Sequence, residues 1–87
     1  MSVLDDMGDA LARDVLAAMV ELDDEKLPDK MSKILLDASP TMQEAFLTAY
    51  RVRVAEVRGR KFLEAALKAK REGRDGPKVI MDSGGGH

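Results

Sequence analysis

From Thr41 to Glu72 the chain contains no proline and a single glycine, Gly59. Few folds accommodate so long a stretch without a breaker except as one helix. The stretch opens at Ser39-Pro40, a capping residue followed by proline at the first helical position, and closes at Lys70-Arg71-Glu72-Gly73, cations in the last turn and then a glycine able to turn left-handed. The spacing predicts one helix of roughly 33 residues, about 50 Å at 1.5 Å per residue. Tyr50-Arg51-Val52-Arg53-Val54 alternates apolar and basic side chains as a half-buried strand does. The alternation is short, however, and Val52, Ala55, Gly59 and Phe62 keep helical spacing through it, so helix is the better reading.

Upstream, Leu4, Met7, Leu11, Val15, Ala18 and Leu22 recur at steps of three and four, the stripe of an amphipathic helix over about residues 3–25. Ser2 is placed to cap it, and Asp5, Asp6 and Asp9 stand near its positive end. Gly8 weakens that start. Pro28 is expected to separate this helix from a short second one over about 29–37, where Met31, Ile34, Leu35 and Ala38 repeat the pattern. With 87 residues there is room for one small domain. The expectation is an all-α helical hairpin over 1–73, with a long first helix, a short second and a long third, followed by a flexible C-terminal tail over 74–87. That tail is rich in glycine and holds one apolar triplet, Val79, Ile80 and Met81, suited to adding to a partner as a short strand.

Several chemistries lack their residues. There is no cysteine, and the single histidine is His87 at the end. Thiolate nucleophiles, disulfides and histidine-activated hydroxyls at Ser32, Ser39 or Thr41 are therefore excluded. Asp5 with Asp9, and Asp23-Asp24-Glu25, lack the spacing of a calcium loop, and Gly84-Gly85-Gly86 lacks the lysine, the strand and the helix of a phosphate loop. No catalytic residue, metal, cofactor or small-molecule substrate is expected. The longest apolar run, Val15 to Val20, is far short of the roughly 20 residues that span a bilayer. The opening residues do not resemble a secretory signal, so a cytoplasmic protein is expected.

What remains is charge and surface. The net charge of −2 hides a division: residues 1–39 hold ten acidic and four basic side chains, residues 40–78 ten basic and five acidic ones. An acidic half is joined to a basic half, which suits two halves that face each other, in one chain or between copies. The cations Arg58, Arg60, Lys61, Lys68, Lys70 and Arg71 alternate with Glu56, Glu64 and Glu72 and form the candidate contact for a nucleic-acid backbone. Aromatic residues are only 3%, which leaves little for base stacking. The long helix also carries two apolar sides. One runs through Ala45, Ala49, Val52, Gly59, Leu63 and Ala66, and the other through Phe46, Tyr50, Val54 and Val57. One neighbouring helix cannot cover both, so the second side is expected to meet a partner. The expected function is that of a helical interaction or adaptor protein that self-associates or docks on a protein, the alternative being a nucleic-acid-binding accessory or regulatory protein.

Overall fold

The computed structural model describes residues 2–79, and among these it contains three helices and no strand. These are α1 (Val3–Leu22), α2 (Leu27–Ala38) and α3 (Pro40–Arg71). The expected long, short, long order holds, and Tyr50 to Val54 is helical. The described residues divide into two compact units, with the division between Glu56 and Val57 inside α3. The boundary falls inside the 1–73 stretch expected to be helical. The charge division keeps the same imbalance, −6 and +5, across this boundary. Residues up to Glu56 hold twelve acidic and six basic side chains, whereas residues 57–79 hold eight basic and three acidic ones.

In the first unit, Ser2 caps α1 as expected: its Oγ accepts the Asp5 N–H at 3.1 Å. The helix ends at Leu22, at the last residue of its apolar stripe and three residues before the expected end at about 25. Asp23 adopts the left-handed conformation at φ 51°, and the Asp24 N–H reaches back to the Met19 carbonyl at 3.0 Å, the closing bond of a Schellman turn. Asp24 then organises the link. One carboxylate oxygen accepts the Lys26 N–H at 2.9 Å and the other the Lys30 ammonium at 2.8 Å. Pro28 is no separator. It lies in the first turn of α2, where a missing N–H costs nothing, so that helix starts at Leu27 and not at 29.

A single residue, Ser39, joins α2 to α3. Its N–H donates to the Leu35 carbonyl at 2.6 Å, ending α2, while its Oγ accepts the Met42 N–H at 3.2 Å, opening α3. A few residues along, the Gln43 amide donates to Ser32 Oγ at 2.9 Å and braces the corner.

The core of this unit is Ala12, Val15 and Phe46, with Leu11, Met19, Leu27, Met31, Leu35, Leu47, Ala49 and Tyr50 packed around them. Phe46 is the one large side chain buried completely. It belongs to the chain's own interior, so the expected partner-facing side through Phe46, Tyr50, Val54 and Val57 is corrected at its first position. The wheel of α3 shows which residues share a side, but α1 covers the Phe46 side and touches Ala45 as well. Gly8 makes that close approach: a Cβ there would lie 2.8 Å from the Ala45 carbonyl carbon.

The second unit contains the rest of α3. Gly73, at φ 71°, ends the helix as expected, and the Arg74 N–H donates to the Ala69 carbonyl at 2.7 Å. Residues 74–79 of the expected tail carry no regular structure, and Gly76 lies against Ala66. Val79 is exposed; Ile80 and Met81 lie outside the described residues.

Candidate interaction site

A groove of 610 Å³ opens in the first unit between the start of α1 and the first half of α3. Leu4, Ala45, Ala49 and Val52 give it an apolar floor with small side chains from α3, while Thr41 and Thr48 line it as well. Its charged members are all acidic, namely Asp5, Asp9 and Glu44. The three acids are not equivalent. Arg53 grips Asp9 with two parallel bonds, Nε to Oδ1 at 2.7 Å and Nη2 to Oδ2 at 2.8 Å. This fork is the specific meeting of the acidic and basic halves that the charge division suggested. Asp5 and Glu44 carry no side-chain ion pair among the described residues and face solvent.

The hydrogen bonds from Arg53 hold the Asp9 carboxyl below its ordinary value, and Asp9 in turn raises Arg53. Asp24 is lowered in the same way, chiefly by Lys30 and then by the Lys26 amide. A carboxyl whose folded value lies below its unfolded one contributes stability above the unfolded value and loses it as the pH falls through the folded one. Resistance to urea is therefore expected to hold from neutrality to about pH 5 and to decline below about pH 4. Urea titrations of Asp9→Asn/Asp24→Asn should start lower at pH 7 and fall less on acidification. An unchanged slope would place the acid-sensitive groups elsewhere.

The residues expected to meet a partner divide between the units. Tyr50 is half-buried, its ring stacked 6.0 Å from Phe46 and its hydroxyl 3.7 Å from the Met19 sulfur, so it too serves the interior. Val54 is partly covered and Val57 exposed. In the second unit Arg58, Arg60, Lys61, Lys68, Lys70 and Arg71 are all exposed around the helix, with Arg60 engaged within the chain. Among the described residues, no three histidine, aspartate or glutamate side chains converge as metal ligands, and no helix is long and apolar enough to cross a membrane.

No protein-family model matches the chain, and neither a curated protein nor a solved structure does. Function must be read from these surfaces.

Sequence reasoning had not found the groove. Its α3 residues were read only as one apolar side of the long helix, and nothing in a helical wheel tells how far along α3 a packed helix stays in contact. Val52 shows where cover ends, being 62% exposed at the groove while Ala49, one turn before, packs against the core.

Proposed function

We propose that this chain is a non-enzymatic helical interaction protein that associates with copies of itself. One observation carries the reading. Along the second-unit part of α3, four large apolar side chains, Val57, Phe62, Leu63 and Leu67, are each between 44% and 49% exposed. Scattered apolar residues on a surface need no explanation, but Leu63 and Leu67 stand one turn apart on one side with Val57 flanking them, and Phe62 adds to the apolar surface about 100° away from Leu63, which is more than a helix exposed to water on every side would carry. An isolated helix of this length is marginal in water, and packing against a second chain supplies what its own unit does not. Burying such side chains contributes up to roughly 1.5–3 kcal/mol each before the cost of association.

Sedimentation equilibrium from low to high micromolar concentration tests this directly. The expected result is a mass that rises with concentration for the wild type and stays monomeric for Leu63→Glu/Leu67→Glu. A wild type that remains monomeric throughout refutes self-association.

The charge of residues 57–79 favours a second reading, in which Arg58, Arg60, Lys61 and the cations of 68–71 hold a nucleic-acid backbone. The same preparations discriminate the two. Affinity for random duplex is expected to be no tighter than micromolar at physiological salt, and a tight complex lost in Arg58→Glu/Arg60→Glu/Lys61→Glu would promote this second reading.

A further inference from the structure

The groove of the first unit and the exposed face of the second have complementary shapes and charges. On α3, Leu63 and Leu67 stand one turn apart on the same side, 49% and 44% exposed. One turn before them is Gly59, with nothing within 4 Å of the position a Cβ would take. One turn after them come Lys70 and Arg71, both exposed. This face therefore runs smooth backbone, large, large, cationic. The groove, followed backwards along α3, runs Val52, Ala49, Ala45 and then Glu44, with Leu4 and Asp5 contributed by α1.

Resting on the self-association reading, we propose that the occupant of the groove is the Gly59–Arg71 face of α3 from a second copy, laid antiparallel. In that register Gly59 meets Val52, Leu63 meets Ala49 and Leu67 meets Ala45. At every level a large side chain faces a small one, as ridges entering grooves require. Lys70 and Arg71 then arrive at Glu44 and Asp5, the two groove carboxylates without an ion pair, while Asp9 remains with Arg53. Glu56 falls at the centre, already engaged within its own chain. Each copy carries both surfaces, so the contact is self-complementary, the property a two-fold dimer needs. Opposite charges at the ends fix orientation and register more than they add affinity.

Charge reversal in two variants tests the pairing. Asp5→Lys/Glu44→Lys reverses the groove, and Lys70→Glu/Arg71→Glu reverses the face. Each alone is expected to sediment as a monomer at concentrations where the wild type is dimeric. An equimolar mixture should regain a one-to-one complex, because the unaltered face of the first variant fits the unaltered groove of the second and the two altered surfaces fit each other. Far-UV circular dichroism confirms that each variant keeps its helices. The chain has no cysteine, so a second readout is clean: Ala49→Cys mixed with Leu63→Cys should form a disulfide between copies under mild oxidation, and Val54→Cys mixed with Leu63→Cys should not. A wild type that dimerises while both reversed variants dimerise equally well, or a mixture that stays monomeric, overturns this pairing and leaves self-association standing. A monomeric wild type overturns both.

Discussion

Phe46→Ala is expected to remove about 3–5 kcal/mol of stability, the cost of truncating a fully buried aromatic ring and leaving a cavity behind. For a domain of this size, total stability is only about 4–13 kcal/mol, so the loss takes a large share of it. Little else fills the interior. Ala12 and Val15 are the only other buried side chains of that core, and neither is large enough to close over the gap. Removing the ring also takes away the stacking partner of Tyr50 and the surface against which α1 is seated. Thermal melts at fixed protein concentration should show a midpoint at least about 12 °C lower, at about 4 °C or more per kcal/mol. Phe62→Ala is the control: that ring is 44% exposed, and its loss should cost less than about 1 kcal/mol in the monomer. Similar effects at the two phenylalanines would mean that Phe46 is not the keystone of the core.

The second large effect runs against helix propensity. Exchanging a glycine within a helix for alanine ordinarily stabilises it by about 1 kcal/mol. At Gly8 the new Cβ would lie 2.8 Å from the Ala45 carbonyl carbon and 2.9 Å from its oxygen and Cβ. Those are mostly backbone atoms, which cannot swing aside as a side-chain tip does. The helices must part at that point, and the seat of Ala12 and Val15 against Phe46 opens with them. Gly8→Ala should therefore cost about 1–3 kcal/mol net. Gly59→Ala, in the open, should instead gain up to about 1 kcal/mol. Two identical substitutions in one chain are thus expected to differ in sign, and urea titrations of the two decide it. Stabilisation at Gly8 would show that α1 and α3 do not approach as closely as described.

These residues also show where sequence reading succeeds and stops. Helix boundaries written in local chemistry were legible: Ser2 and Ser39 open helices, and Gly73 ends one. The end of α1 was not, because Asp23 takes a left-handed conformation that glycine more often supplies, and no glycine or proline stands between it and Pro28 to mark the stop. Pro28 was ambiguous in principle, since proline both ends one helix and begins the next. Gly8 read as a weakness because a lone glycine says nothing of what lies across from it. The charge division announced an attraction between halves, yet the Asp9–Arg53 fork joins residues 44 apart in sequence, and composition cannot choose one pair from so many. For the same reason Phe46 and Val57 appeared equivalent on a helical wheel, although Phe46 is fully buried and Val57 is exposed.

Helix ends ordinarily fray independently, each closed by its own cap. At Ser39 that independence is lost. The amide that terminates α2 and the hydroxyl that initiates α3 belong to one residue, so the last turn of one helix cannot unwind without disturbing the first turn of the next. The corner works as a fixed elbow with no hinge. Local opening there is expected to involve both helix ends together, and the amides of Ser39 and Met42 to exchange at similar rates in a hydrogen-exchange measurement.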